Sequence, residues 1–383
     1  MNVTDDSTNV SIWSTVTYNR TSNSSAGEDR RSYRNFYEYH ASEQLWLIAP
    51  PILIIFGTLG NALSVCVLST KKLRNLTTSL FLIVLAIVDT TVLFTGLLRY
   101  WIRHLSNVDI RHLSAVGCKV HVFLVYTSLD VSVWLLMAVT VERFLAVCFP
   151  FRVKQLCTID VAKVTIVTIV AVLSLVNCHF FWTMGDVEYV IGNKTYTQRC
   201  TYADVKYYAF MTKIWPWIDF CIFSLIPLTL MLLCNISITV GLGRSYYRRK
   251  HLPLQGDHPA SDVRMTTMTA MLMALSIVFI VTTVPIAAYL IGQREWTKNA
   301  DSHTIAKLSL AWAIVNILQY SNNACNFLLY CLSGPRFRKA LTEIACVRCF
   351  RNKVHPGNTA TAGSTTAGVD YPRDQPNSAE TCA

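Results

Sequence analysis

The sequence is poor in charged residues and in residues that break helices. Charged residues make up 15% of the 383 positions, whereas soluble domains average about 25%. Only 15 Gly and 12 Pro are present, which excludes a collagen-like or low-complexity chain. With 52% apolar residues, intrinsic disorder is excluded for most of the length, and a soluble fold lacks the charges to cover this much apolar surface.

Motifs of common enzyme classes are missing as well. The chain has no His-Glu-X-X-His and no Gly-X-Ser-X-Gly, and its 9 His form no metal-ligand spacing. The segment Gly241-Leu242-Gly243 lacks the third glycine of a dinucleotide-binding loop. No internal repeat is present, which disfavours a repeat-built transporter. The sequence therefore predicts neither an enzyme nor a bound cofactor.

Seven long apolar runs, in contrast, dominate the chain. A helix needs about 20 mostly apolar residues to cross a bilayer; the runs cover residues 45–69, 77–101, 117–149, 161–183, 207–240, 266–291 and 304–332. Stretches such as 52–55 and 164–176 do not alternate as transmembrane β-strands do. We therefore expect an all-α membrane protein, a seven-transmembrane helix bundle (44–333) followed by a short amphipathic eighth helix (334–350).

The distribution of glycosylation sequons predicts the orientation. Four sequons precede the first run and a fifth follows the fourth run, at Asn2, Asn9, Asn19, Asn23 and Asn193. An odd number of spans places the termini on opposite sides, and five sequons on one side favour an extracellular face there. The Lys and Arg excess in the other loops agrees weakly. We expect a multi-pass plasma-membrane protein with an extracellular N-terminus and a cytoplasmic C-terminus.

The segments outside the bundle are polar. Residues 1–43 lack the apolar stretch of a cleavable signal peptide, so the first span is expected to direct insertion, and 1–43 form a glycosylated extracellular segment. Residues 351–383 have the composition of a disordered cytosolic tail. The basic residues lie in short loops, which fits contact with anionic membrane lipids and does not indicate nucleic-acid binding.

Four of the 13 cysteines carry specific expectations. Cys118 and Cys200 both face the oxidising side, so a disulfide between them is favoured over two unlinked thiols. Cys346 and Cys349 follow the last span beside arginines, where palmitoylation and unmodified interfacial thiols are both consistent with the sequence.

Polar residues inside the spans indicate a functional network, because ionisable groups are costly there. Asp89 lies within the second span, and oxygen-bearing side chains occur in three others, at Asn61, Ser132, Asn322, Asn323 and Asn326. Asn322 and Asn326 are four apart and share a helix face. One carboxylate with neutral oxygen donors suits a sodium ion, and a water-filled hydrogen-bond network without an ion suits the same residues equally.

Marked positions in every span except the fourth, in fixed order, give the strongest signal. These are Gly60-Asn61, Leu85-Ala86-Ile87-Val88-Asp89, Cys118, Glu142-Arg143-Phe144, Pro227, Phe279, Pro285 and Asn326 with Tyr330. Over residues 44–350 the chain resembles rhodopsin-like (class A) G-protein-coupled receptors. Within that family, 326–331 followed by Phe337-Arg338 resembles invertebrate neuropeptide receptors of the FMRFamide, myosuppressin and thyrotropin-releasing-hormone group.

The chain also departs from the family pattern. Phe327 replaces the proline of the helix-seven motif, Thr283 replaces the helix-six tryptophan, and the helix-four tryptophan is absent. No acid occurs at 265–269, so the salt bridge that joins helices three and six in some relatives is not available here. These departures concern how the resting state is held.

The resemblance implies a ligand pocket in the outer half of the bundle. Its expected residues are Arg99, His121, Tyr126, Asp219, Tyr289, Trp312, Asn316 and Tyr320. Val125 stands where amine receptors have an aspartate, and Arg99 and Arg103 beside Asp219 would give a pocket of both charge signs. This suits a peptide better than an amine or a lipid. For Asp130 we expect a structural hydrogen bond to a neighbouring helix.

The resemblance also implies a signalling mechanism. An agonist favours a state in which helix six moves outward about Pro285, which opens a cleft for a heterotrimeric G protein. The residues expected to take part are Glu142, Arg143, Phe151, Phe279, Pro285, Asn326 and Tyr330. Tail residues between 359 and 366 are either phosphorylated to recruit arrestin or inert. The alternatives are a class A receptor for an amine or lipid and, in a different class, a transporter or channel.

Overall fold

The computed structural model describes residues 32–191, 194–251, 259–298, 300–333 and 337–344. Seven long helices follow one another along this part of the chain. They are α1 (Tyr37–Leu68), α2 (Thr77–Ser106), α3 (Ala115–Cys148), α4 (Ile159–Thr183), α5 (205–251), α6 (Pro259–Trp296) and α7 (Ser302–Ser333). Shorter elements are the 3-10 turns Ser32–Asn35 and Ile110–His112 and the helix Pro150–Leu156. The seven-helix fold is as the sequence predicts.

Six of these helices, α1 to α6, contain a stretch that is long and apolar enough to cross a membrane. α7 is 32 residues long and is more polar, because it carries five buried side-chain amides on its inner face: Asn316, Gln319, Asn322, Asn323 and Asn326. In a dry interior such amides need partners on neighbouring helices. α7 accordingly packs on α1 and α6.

The bundle is arranged for a lipid surround. α3 is the most buried of the six apolar helices and α4 the least, and α4 exposes Val161, Val164, Val167 and Leu175. Apolar patches of this extent on a water-facing surface would drive aggregation. These side chains therefore face the hydrocarbon layer of a multi-pass membrane protein.

Two glycines allow α1 and α7 to approach closely. A Cβ on Gly57 would lie 2.9 Å from Ala324 Cα, and one on Gly60 would lie 2.9 Å from Phe327 Cβ. Phe327, which stands in place of the family's helix-seven proline, thus occupies space that a glycine leaves free. α7 continues as a helix through this position.

Wider turns interrupt two of the helices. α2 contains a π-helical segment at Leu93–Leu97, and α5 contains two, at Phe210–Ile214 and Phe220–Leu225. Such segments shift the side chains beyond them around the helix axis and are frequent at functional sites. As a result, the side chains in the last turns of α2 and the first turns of α5 point in other directions than they would on a regular α-helix.

A β-hairpin, which the sequence reasoning missed, follows α4. Strands β1 (Met184–Ile191) and β2 (Lys194–Tyr202) pair antiparallel with an irregularity between Gly185 and Val187. There Asp186 Oδ1 accepts the Cys200 N–H at 2.9 Å, and Cys200 adopts a left-handed φ of 52°. This conformation presents Cys200 to α3, where the disulfide with Cys118 is formed as predicted.

Cys118 lies at one end of the bundle, the disulfide end, and Arg143 lies at the other, the Arg143 end. At the Arg143 end, residues 337–341 are helical after α7. Phe337 contacts Phe327 and Tyr330, with ring centroids 5.8 and 5.6 Å apart. Arg338 Nη1 donates to the Cys331 and Leu332 carbonyls at 3.0 and 2.8 Å, which satisfies free carbonyls at the end of α7.

The chain divides into two compact units, 1–341 and 342–383. Of the second unit, the described residues are 342–344, which are helical. The expected eighth helix thus has helical structure at 337–344. The five glycosylation sequons, Cys346, Cys349 and the predicted tail phosphorylation sites lie outside the described residues.

Candidate functional site

A buried carboxylate joins three helices near the middle of the bundle. Asp89 on α2 is 0% exposed. Ser132 Oγ on α3 donates to Asp89 Oδ1 at 2.6 Å, and Asn323 Nδ2 on α7 donates to the same oxygen at 2.7 Å. Asn326 Nδ2 donates to Asp89 Oδ2 at 2.6 Å. Because a buried carboxylate is costly unless it is hydrogen-bonded, these contacts hold α2, α3 and α7 together.

Asn61 on α1 joins this network through α7 rather than through Asp89. Its Nδ2 donates to the Asn323 carbonyl at 3.3 Å and to Thr90 Oγ1 at 3.4 Å. Asn61 Oδ1 is buried without a hydrogen-bond partner. The network therefore spans four helices and retains one unused oxygen.

The structure corrects the predicted role of Asn322. The amides that reach Asp89 belong to Asn323 and Asn326, because residues three apart also share a helix face. Asn322 instead lines a cavity with Gln319, Phe279 and Thr283. The centre of a water molecule can occupy a volume of about 10 Å³ in this cavity. The cavity therefore has room for about one water molecule.

At the Arg143 end, α3 is hydrogen-bonded to the start of α2. Thr77 Oγ1 and Thr78 Oγ1 both donate to Glu142 Oε1, the latter at 3.0 Å. Arg143 Nη2 forms an ion pair with Glu142 Oε1 at 3.0 Å and donates to Thr78 Oγ1. Glu142 Oε2 and Arg143 Nε are buried without partners. No acid occurs at 265–269, and Arg143 is held instead by Glu142 of its own helix and by Thr78 of α2.

The other residues predicted for activation fall into a buried and an exposed group. Phe279 on α6 and Tyr330 on α7 are buried, and Pro285 lies inside α6. Phe151, in the short helix after α3, is 96% exposed. Its ring is therefore accessible from outside the bundle.

The predicted pocket of mixed charge is organised differently at the disulfide end. Arg99 is buried, and its Nε and Nη2 donate to Asp109 Oδ1 and Oδ2 at 3.1 and 2.9 Å. Arg111 binds the same carboxylate through Nε and Nη2. Burial by itself raises the pKa of Asp109, but hydrogen bonds from Arg111 and Arg99 outweigh it and hold that pKa well below its ordinary value.

Asp109→Asn is expected to destabilise the protein by about 3 kcal/mol, because it leaves two largely buried guanidinium groups without their carboxylate. Since the folded-state pKa is depressed, the difference from wild type should be constant at neutral pH. It should shrink only as the pH falls below about 4. Thermal unfolding of the detergent-purified protein at several pH values measures this. Asp160→Asn, on the exposed start of α4, is the control, and equal midpoints for both variants would contradict the assignment.

Asp219, which was expected beside Arg99 and Arg103, lies in different surroundings. It is close enough for its charge to act on Tyr126 and Asp130 of α3. Asn177 Nδ2 on α4 donates to Asp130 Oδ2 at 2.8 Å, the interhelical bond expected for that residue. Among the described residues, Asp109 and not Asp219 is therefore the ion-pair partner of Arg99 and Arg111.

The predicted pocket residues with aromatic rings form two groups. Tyr126 on α3 contacts Phe180 and Trp215, with centroids 4.7 and 6.1 Å apart, beneath the disulfide. Between α6 and α7, Tyr289 contacts Trp312 at 5.4 Å and donates its hydroxyl to the Leu308 carbonyl at 3.1 Å.

Three further residues lie between these groups and α2. Asn316 Nδ2 donates to the Trp312 carbonyl at 2.8 Å. The Tyr320 hydroxyl occupies the space beside Gly96, where a Cβ would lie 2.5 Å from it. His121 lies near Arg99 and Arg111.

The family model of the seven-transmembrane receptors of the rhodopsin family matches residues 60–330, most of the bundle. The chain belongs to this family. The receptor is 25% identical over 298 residues to the FMRFamide receptor of Drosophila melanogaster, an alignment that covers 75% of this chain and 51% of that protein. It is 25% identical to the growth hormone secretagogue receptor type 1 of Sus scrofa, covering 76% and 78%.

A third relative is the thyrotropin-releasing hormone receptor of Gallus gallus, 28% identical over 175 residues, which cover 45% of this chain and 42% of that protein. The receptor thus spans about half the length of the Drosophila relative. These likenesses agree with the predicted resemblance to class A and neuropeptide receptors. Members of this family are receptors rather than enzymes, as expected.

Several residues of the site were not singled out from the sequence. Thr77 and Thr78 act only through contacts between helices, which no local motif marks. The receptor's Asp109 lies in a loop between two arginine-bearing segments. A single acid among three arginines, Arg99, Arg103 and Arg111, is the sequence pattern that points to Asp109.

Proposed function

We propose that this receptor binds an extracellular peptide and transmits binding to a heterotrimeric G protein through outward movement of α6. The placement of Arg143 carries the proposal: its guanidinium is held at one bundle end by Glu142 and Thr78, with Glu142 Oε2 and Arg143 Nε unused. A buried ion pair with unsatisfied atoms favours an exchange of partners. The three relatives are named as receptors for FMRFamide, for a growth hormone secretagogue and for thyrotropin-releasing hormone, which supports a peptide ligand.

The signalling step is a population shift between two bundle arrangements. To move a 1:99 ratio to 99:1, the agonist must favour the active state by about 5.5 kcal/mol. Pro285 removes one backbone hydrogen bond from α6, which weakens the helix where it must bend. Movement of α6 away from Phe279 and Tyr330 would admit the G protein, and the exposed Phe151 supplies an apolar contact.

The ligand is proposed to enter at the disulfide end. The candidate contacts are those predicted from the sequence, at His121, Tyr126, Asp219, Tyr289, Trp312, Asn316 and Tyr320. Arg99 acts there as a support, since Asp109 already neutralises it. Aromatic rings around a buried acid suit the basic side chain of a peptide.

The orientation and further partners follow from the sequence. The five sequons support an extracellular N-terminus and a cytoplasmic C-terminus in the plasma membrane, which places the Arg143 end in the cytosol. Arrestin binding to a phosphorylated tail, palmitoylation at Cys346 and Cys349, and contact of the basic loops with anionic lipids belong to the same proposal.

A screen of amidated neuropeptides on cells expressing this chain tests the proposal, with calcium and cyclic AMP recorded together. A set of biogenic amines and lipids is screened in parallel. Activation by a peptide, absent from untransfected cells, is the expected result. Activation by amines or lipids alone would overturn the peptide assignment, and substrate flux in proteoliposomes without a G protein would overturn the receptor mechanism.

Thr78→Val is expected to raise agonist-independent signalling about fivefold, the effect of removing roughly 1 kcal/mol of hydrogen bonding from the resting state. Thr78 Oγ1 joins Arg143 to Glu142, and valine keeps its shape without the hydroxyl. Basal second-messenger levels at matched surface expression provide the measurement. Thr91→Val is the control, because the half-buried Thr91 donates to the Ile87 carbonyl of its own helix. Unchanged basal signalling in Thr78→Val would show that this contact does not hold the resting state.

A sodium ion at Asp89 is proposed as an allosteric ligand. The site offers the carboxylate, the Ser132 hydroxyl and the unused Asn61 Oδ1, a donor set that fits a hard cation. The NH2 groups of Asn323 and Asn326 now bond to Asp89, so one of these amides must turn for the ion to bind.

Sodium is accordingly expected to weaken agonist affinity about fivefold, and Asp89→Asn is expected to remove this effect. The comparison uses sodium chloride against N-methylglucamine chloride at equal ionic strength, with Asp160→Asn as the control. A sodium effect of equal size in Asp89→Asn would exclude the ion from this site.

A further inference from the structure

The cations at the disulfide end are not balanced. Three guanidinium groups, those of Arg99, Arg103 and Arg111, surround the single carboxylate of Asp109. Asp109 is fully engaged by Arg99 and Arg111. Arg103 has no hydrogen bond or ion pair to any residue that the structure describes. The cluster therefore carries a surplus of two positive charges.

The position of Arg103 makes this surplus costly. Arg103 follows Arg99 by four residues and lies on the same face of α2, and its side chain is half-buried. Its charge acts on those of Arg99 and Arg111. A charged guanidinium that is partly removed from water beside two like charges is destabilised unless an anion compensates its charge.

Polar atoms without partners lie next to these cations. Both ring nitrogens of His121 are buried and lack a partner at normal hydrogen-bond geometry, although the Thr95 backbone is nearby. His112 Nε2 is also buried without a partner. Burial lowers the pKa of His112, so this ring is neutral at pH 7. Arg199 of β2 adds an exposed cation through its 2.7 Å bond to the His112 carbonyl.

The geometry points to an anion-binding subsite centred on Arg103, with Arg111 beside it and His121 next to Arg111, that accepts an oxyanion of the ligand: a carboxylate, sulfate ester or phosphate. Arginine suits this role because its planar fork binds two oxygens of such groups. Arg99 and Asp109 hold the cluster in place. The assignment of the oxyanion to a peptide rests on the proposed function; binding of an anion at Arg103 does not.

Inorganic sulfate is the probe, and thermal unfolding of the full-length protein in neutral detergent is the measurement. Sodium sulfate is compared with sodium chloride at matched ionic strength. Sulfate also stabilises proteins in general, and this effect on the unfolding midpoint is the same for all variants. The difference in midpoint between variants therefore reports specific binding of sulfate. Arg103→Gln is the test variant, and Lys213→Gln, which removes an exposed cation of α5, is the matched control.

Wild type and Lys213→Gln are expected to show a saturable rise of the unfolding midpoint, and Arg103→Gln is expected to need about tenfold more sulfate for it. Arg103→Lys, which keeps the charge, should lose less. Equal sulfate curves for wild type and Arg103→Gln would overturn the subsite. Equal losses in the Lys and Gln variants would do so too, since they would indicate an effect of packing.

A second arm separates a ligand group from a lipid headgroup. The titration is repeated in nanodiscs of phosphatidylcholine, with and without phosphatidylglycerol. The sulfate response should be the same in both; its loss with phosphatidylglycerol would assign the subsite to a headgroup and overturn the ligand assignment. Because no agonist or G protein is present, failure here is distinguishable from failure of the signalling proposal.

Discussion

Arg143→Ala is expected to reduce agonist-driven signalling to less than about a tenth of wild type while the receptor still reaches the cell surface. In the resting arrangement, Arg143 contacts Glu142 of its own helix and Thr78 of α2. In the proposed active state, α6 has moved away and this guanidinium is available to the G protein. Loss of hydrogen bonds from one charged group, worth about 1.5–3 kcal/mol, reduces coupling tenfold or more.

Two readouts are needed for this variant, because a misfolded receptor would also be silent. Second messengers report coupling to the G protein, and antibody labelling of an N-terminal tag on intact cells reports surface expression and orientation. Arg74→Ala removes an exposed cation at the same bundle end and should signal normally. Full signalling from Arg143→Ala at normal surface levels would defeat the proposed coupling role.

Cys200→Ser is expected to abolish ligand binding at the surface. The disulfide joins residues 82 positions apart, and cross-links of such loops contribute about 4 kcal/mol in the chain-entropy account. It also fixes the hairpin over the bundle, because Cys118, Cys200, Phe180 and Trp215 form one buried cluster. Without the link, the hairpin is no longer held above Tyr126, where the ligand is proposed to bind.

A set of cysteine variants makes this prediction specific. If the bond carries the effect, Cys118→Ser, Cys200→Ser and the double variant should lose binding equally. Cys178→Ser, which changes a free cysteine in the last turns of α4, should bind as wild type does. Retained affinity in Cys200→Ser, or additive losses in the double variant, would show that the bridge is dispensable.

The fold was predictable because the bilayer imposes a simple length rule on apolar runs. All seven runs lie on helices. The bounds of the runs differ from those of the helices mainly where a helix continues beyond the hydrocarbon layer. α1 begins at Tyr37, eight residues before the predicted run. α6, predicted from 266, begins at Pro259. Hydropathy detects the membrane-embedded part of a helix and not its polar extension.

The candidate site was predictable where it depends on one helix and not where it depends on contacts between helices. Asp89, Ser132 and Asn326 stood out because polar residues in spans are costly. The choice between Asn322 and Asn323 depends on the rotation of α7 against α2, which spacing alone does not determine. Likewise, Arg99 was assigned to Asp219 because both lie near outer span ends, whereas the loop carboxylate of Asp109 is the group it binds.

The polar inner face of α7 has a consequence for biosynthesis. A segment with five buried amides partitions poorly from the translocon into lipid by itself. Its stable insertion therefore requires that α1 and α2 already stand in the membrane, where Asp89 and the glycine surface of α1 receive it. Substitutions at Gly57 or Gly60 should accordingly reduce the yield of assembled protein in the endoplasmic reticulum before any effect on signalling is seen.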